Sequence, residues 1–155
     1  MLRTIQFSLK RKGDIMKNIL VPIDGSRFSD IAMDKAKELA DVFGSKVTLL
    51  YVNDFHQYIF NYNPEVEAHY AEMFDKVSRN VLESGKQRLA EIGDQLETVR
   101  MEGNVANTIV DYANDNDFDL IIIGPYGKGR IQRFLLGSVA NKVSTHVNKS
   151  VLIAR

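Results

Sequence analysis

The chain has 155 residues, 45% of them apolar and 26% charged, which is enough for one domain with a buried core. Its 20 basic and 20 acidic residues cancel, so no global field draws it to nucleic acid or to an anionic membrane, and a bound anion needs a local site. The lack of cysteine excludes a disulfide framework, a thiolate metal site and cysteine catalysis, and a cytoplasmic setting is expected. The apolar runs, such as Leu120 to Ile123, are too short to cross a bilayer.

Residues 1–15, MLRTIQFSLKRKGDI, are basic and modestly apolar but lack the apolar core and small-residue cleavage site of a signal peptide. Arg11 to Ile15 can be encoded by a purine-rich stretch resembling a ribosome-binding site just ahead of Met16. Met16 is therefore the expected natural start, with the leader non-native or disordered and the domain covering 16–155.

Lys17 to Ile23 is a short apolar run closed by Asp24-Gly25-Ser26, which predicts a strand and a turn. Ser26 or Ser29 is placed to cap the helix that follows. There Ile31, Ala32, Lys35, Ala36, Leu39, Ala40 and Phe43 recur at helical spacing until Gly44. Lys46 to Val52 is β-branched and aromatic, a second strand. Asn53 to Asn63 has no clear period and reads as a loop. Pro64 suits a first helical turn, and Val66, Tyr70, Met73, Val77, Val81, Leu82, Leu89 and Ile92 predict a long amphipathic helix to Gly93, with a possible bend at Gly85. Leu96 to Met101 is a third strand. Gly103-Asn104 opens a helix with Val105, Ile109, Val110, Tyr112 and Ala113 on its apolar side. Asp119 to Ile123 is apolar almost throughout, as a strand covered on both faces should be. A glycine-rich loop, a helix over about 138–147 and a last strand at Val151 to Ala154 complete the chain.

The alternation of strands and helices after Met16 predicts an α/β domain with a parallel sheet and helices on both faces. Such sheets bind ligands beyond the carboxyl ends of their strands, where strand order reverses. Two loops stand at such ends. The first strand ends in Pro22-Ile23-Asp24-Gly25-Ser26. The fourth ends in Gly124-Pro125-Tyr126-Gly127-Lys128-Gly129-Arg130 and leads to Gly137-Ser138 at a helix start.

Glycines let backbone N–H groups approach phosphate oxygens, and a helix N-terminus adds donors and partial positive charge. Lys128, Arg130 and Arg133 supply local cations. Asp24 would repel phosphate and suits ribose hydroxyls or a base amino group as donors. On the residues alone two readings stay open, a phosphate cradle or a tight connection beside a capped turn.

The spacing is longer than a glycine triplet. Gly124, two residues, Gly127, nine residues and Gly137-Ser138 resemble the G-x2-G-x9-G-(S/T) signature of ATP-binding universal stress proteins. KNILVPIDGS near the start, Met101 to Asn104, FDLIIIG before the loop and GSVANKVSTHVNKSVLIAR at the end agree, so the resemblance covers Met16 to Arg155. It implies an open five-stranded parallel sheet in order 3-2-1-4-5, an adenine nucleotide alpha-hydrolase-like fold. It also implies ATP, with Mg2+, as ligand.

By that resemblance Asp24 and the backbone of Val52 would meet the adenine, and Pro22 and Ile23 would wall its pocket. Gly124, Gly127, Gly129, Gly137, Ser138 and Val139 would carry ribose and phosphates, helped by Lys128 or Arg130. A homodimer through Val151 to Ala154 is the expected partner arrangement, and a nucleotide-dependent stress-response module the expected role. The alternative is a dimeric interaction module of the same fold that binds no nucleotide.

Pro125 and Tyr126 depart from the family pattern, where a small polar and a basic residue are common, and Ser150 stands where a proline is common. Proline removes one N–H donor, and Tyr126 could close over a ligand or pack on a partner. The aromatic set Phe55, Tyr58, Phe60, Tyr62 and Tyr70 reads as packing onto the sheet or as a partner surface. His56, His69 and His146 lack metal-ligand spacing, no Walker A or G-x-S-x-G motif is present, and Asp24 has no evident histidine partner. An enzyme is therefore not expected, beyond slow hydrolysis or phosphate transfer.

Overall fold

The computed structural model describes residues 16–54, 63–128 and 136–155. The leader, the aromatic residues Phe55, Tyr58, Phe60 and Tyr62, and Gly129, Arg130 and Arg133 lie outside the described residues.

Strands β1 (Asn18–Pro22), β2 (Lys46–Asn53), β3 (Leu96–Glu102), β4 (Leu120–Ile123) and β5 (Ser150–Ile153) form one parallel sheet in the order β3-β2-β1-β4-β5. Their side chains divide by the two-residue period of a strand. Ile19, Val21, Val47, Leu49, Leu120 and Ile122 face one side, and Leu20, Leu50, Val52, Ile121 and Ile123 face the other. Both sides are covered, which explains why these runs are apolar without alternation.

Helices α1 (Arg27–Phe43) and α2 (Pro64–Arg88) lie on the first side, where Ala32, Met33, Ala36 and Ala40 of α1 join the core. Helices α3 (Val105–Asp115) and α4 (Ser138–His146) cover the second, through Ile109, Val110, Ala113, Ala140 and Val143. Each fully buried leucine or isoleucine contributes about 1.5–3 kcal/mol through the water it sheds.

Local signals set the helix ends. Ser26 is the N-cap of α1 and accepts from the Ser29 amide, while Gly44 closes it at φ 67° with its N–H on the Ala40 carbonyl. Asn63 and Asn104 cap α2 and α3 in the same way. α2 ends at Arg88, short of the expected Gly93. A 3₁₀ segment over Ala90–Gln95 follows, in which Gly93 takes φ 64° and ψ −133° to turn the chain into β3. Gly85 lies within α2. That glycine is buried because an added Cβ would fall 2.7 Å from Leu49 Cδ1, so its absence lets α2 press onto β2.

β1 and β4 are neighbours, and the chain leaves them towards opposite faces, to α1 and to α4. That divergence opens a crevice beyond their carboxyl ends.

Candidate functional site

On the β1 side of the crevice the backbone is held to the end of the strand, since Ile23 N–H donates to the Leu50 carbonyl at 2.9 Å. Asp24 comes next. Its Oδ1 accepts from the Ser26 amide at 2.9 Å and from the Ser29 hydroxyl at 2.6 Å. The Asp24 N–H donates in return to Ser29 Oγ at 2.9 Å. The two serines therefore divide their work: Ser26 caps α1, and Ser29, buried one turn on, fixes the carboxylate. Burial pushes the Asp24 carboxyl up, but bonds from Ser26, Ser29 and the Lys128 backbone outweigh it and hold the group below the usual carboxylate range.

On the β4 side each described glycine of the motif meets a neighbour that a side chain would strike. A Cβ at Gly124 would lie 2.7 Å from Phe28 Cβ and 3.0 Å from the Phe28 carbonyl oxygen. At Gly127 it would lie 2.8 Å from Asp24 Oδ2, and at Gly137 3.1 Å from the Pro125 carbonyl oxygen. Gly137 N–H donates to that carbonyl at 2.8 Å, so Pro125, which has no donor of its own, closes the neck of the loop as an acceptor. Tyr126 packs edge-on against Phe28, with centroids 5.4 Å apart, and the Arg27 guanidinium lies over the Phe28 ring, 4.8 Å from its centroid. α4 begins beside this neck with Gly137 as N-cap and no capping side chain, and its first residues Ser138 and Val139 line the crevice.

The crevice encloses about 150 Å³. Pro22, Ile23, Ile123, Val105, Ile109 and Ala140 make an apolar interior, and Asp24, Ser29, Lys128 and Ser138 supply polar groups. Of the residues expected from sequence, Pro22, Ile23, Asp24, Gly124, Gly127, Lys128, Gly137, Ser138 and Val139 all line it. Val52 is not in that lining and is buried in the core on the α3 and α4 side. Gly129 and Arg130 fall outside the described residues. Among the described lining residues Lys128 is the sole cation.

Sequence reasoning missed Ser29, Val105, Ile109, Ile123 and Ala140 as lining. Ser29 looked like a possible cap, and the four apolar residues carry the same periodic signal as core.

A sequence profile of the universal stress protein family matches residues 16–155. The chain belongs to that family. Universal stress protein MJ0531 of Methanocaldococcus jannaschii is 32% identical over 149 residues, covering 96% of this chain and 88% of that one. The solved structure of universal stress protein UspA from Lactobacillus plantarum superposes with a TM-score of 0.79 at 28% identity, over 90% of this chain and 98% of the other.

Two more distant universal stress proteins share the fold. One, solved in complex with cAMP, has a TM-score of 0.64 at 22% identity, over 91% of this chain and 98% of that chain. The other, from Archaeoglobus fulgidus in complex with dAMP, has a TM-score of 0.67 at 21% identity, over 91% and 99%.

Proposed function

We propose that this universal stress protein binds an adenine nucleotide, ATP with Mg2+, in the crevice between β1 and β4, and serves as a nucleotide-dependent regulatory module of the stress response. One observation carries the reading: Asp24, the described motif glycines and the uncapped start of α4 converge on one apolar crevice at the point where strand order reverses. The bound cAMP and dAMP of two relatives with the same fold support the adenine class.

The residues present suit such a ligand. The interior of about 150 Å³ has room for a ring system, with the phosphates at its rim. A base would sit among Pro22, Ile23 and the apolar side chains of α3 and β4, with Asp24 accepting from a donor. The phosphates would lie along Gly127, Gly137 and Ser138, with Val139 behind them and Lys128 near. Nucleotide when bound supplies a phosphoanhydride and, with Mg2+, a charge cluster that can bias the shape of the loop or dimer contacts.

The role is regulatory rather than catalytic in this reading. A carboxylate held ionised by three donors is a weak general base. The protein acts in the cytoplasm as a homodimer through Val151 to Ala154.

A second reading, a dimeric interaction module without nucleotide, is favoured by the small enclosed volume and by Tyr126 lying against Phe28 at the crevice edge. Native mass spectrometry of freshly purified protein separates the two. A mass increment matching an adenine nucleotide, lost on stripping and regained with ATP, is the expected result. Protein that stays bare after incubation with excess ATP supports the second reading and rejects the first.

A further inference from the structure

Asp24 is tied to the protein on both of its oxygens. Oδ1 is taken by the Ser26 amide and the Ser29 hydroxyl, within its own turn. Oδ2 accepts from the backbone N–H of Lys128 at 2.9 Å, across 104 residues of sequence. The contact depends on Gly127, whose missing Cβ would stand 2.8 Å from that oxygen. Gly25 helps from the other side. At φ 76° it keeps the turn tight, and Lys128 Nζ would lie 3.3 Å from a Cβ there, so the lysine side chain folds back over the turn. Two apolar contacts run parallel to the hydrogen bond, Gly124 against Phe28 and Tyr126 against Phe28. The segment 124–128 is therefore docked on the segment 24–29, and the carboxylate is the polar fastening.

We propose that Asp24 is a positioning residue that latches the turn after β4 onto the tip of β1 and so sets the donors on the phosphate side of the crevice independently of nucleotide. The latch itself involves protein atoms only; its effect on affinity rests on the nucleotide reading above. An ionised carboxylate offers about four acceptor sites. Three are occupied here, which leaves about one for a donor on a ligand. One side chain thus orders the loop and still addresses the base or ribose, and the ordering cost is met before binding rather than during it.

Asp24→Asn keeps the shape and breaks the chemistry. An amide presents one acceptor oxygen and one donor NH2. With the NH2 towards Lys128 it meets an N–H, and turned over it meets the N–H of Ser26. In either orientation one backbone donor loses its partner.

The test is amide hydrogen exchange by NMR on the full chain without nucleotide. In Asp24→Ala, which unlike asparagine offers Lys128 no acceptor in either orientation, the Lys128 amide is expected to exchange about tenfold faster, the loss of one hydrogen bond to a charged group, while the amides of Leu49 and Ile121 keep their rates. An unchanged Lys128 rate overturns the latch.

The wild-type protein gives a second measurement that needs no variant. The Lys128 amide shift should titrate with the Asp24 carboxyl, at a midpoint below the ordinary 3.8. Tyr51 lies near both Asp24 and Asp54, and a phenol does not change charge in acid; the Lys128 N–H is bonded to Asp24 itself, so its shift reports that carboxyl. A Lys128 shift that ignores this titration also overturns the proposal. Neither readout involves nucleotide, so a protein that binds no ATP but shows both effects keeps the latch and loses only its consequence for affinity.

Discussion

Gly127 illustrates what a glycine motif does and does not say. Its spacing from Gly124 and Gly137 was plain in the sequence, and the expected use of each glycine was to admit phosphate. The structure gives all three a use inside the protein, against Phe28, the Asp24 carboxylate and the Pro125 carbonyl. Spacing alone cannot tell whether a ligand or the protein fills the room a side chain would take. Asp24 shows the same limit: its type and place were legible, but its bond to Lys128 N–H joins positions far apart in sequence.

Tyr126, open between a lid and a partner contact on sequence grounds, leans on Phe28 of the same chain. The Gly127→Val variant follows from this geometry. It displaces the carboxylate and the phosphate-side backbone together. Titration should show ATP affinity reduced at least about tenfold, or 1.4 kcal/mol. The melting temperature should fall by only a few degrees, about 2–4 °C per kcal/mol for a domain of this size. Unchanged affinity would remove Gly127 from the site.

Among the elements, the strands and their faces were the most legible, because burial on both sides of a parallel sheet leaves no polar alternation in Leu120–Ile123. The end of α2 was less so. Apolar residues keep helical spacing through Ile92, yet the helix gives way after Arg88, with Leu89 at φ −103° and fully buried. Periodicity reports which side chains face inwards, and a 3₁₀ turn that buries the same residues leaves almost the same pattern.

Gly85 makes a close contact that its helical setting does not announce, since nothing in a single sequence marks which neighbour a helical glycine faces. Gly85→Val should overpack α2 against Leu49 and Ile23 and cost about 1–3 kcal/mol. Urea unfolding checks this, and a variant as stable as wild type would show that α2 does not need that close approach.

At the scale of the whole molecule, alternating strands and helices dictate a parallel sheet but not its order. The order 3-2-1-4-5 came from the family resemblance, and it is what sets β1 beside β4 and creates the crevice. Assembly is the least legible level. β5 is an edge strand whose Val151, Leu152 and Ile153 remain half-buried, a suitable face for a second copy. Light scattering on the eluting protein should return twice 17.6 kDa, and Leu152→Asp should return the single mass. A wild-type monomer across the measured concentrations would remove the dimer from the account.

The central claim, that the crevice holds an adenine nucleotide by base and phosphates, is tested most directly by calorimetric titration of ATP with Mg2+ into stripped protein, with AMP as comparison. Saturable binding at one site per chain that weakens for AMP is expected, because the donors at Gly127 and the start of α4 lose the outer phosphates. Heats no greater than dilution for both nucleotides would contradict it.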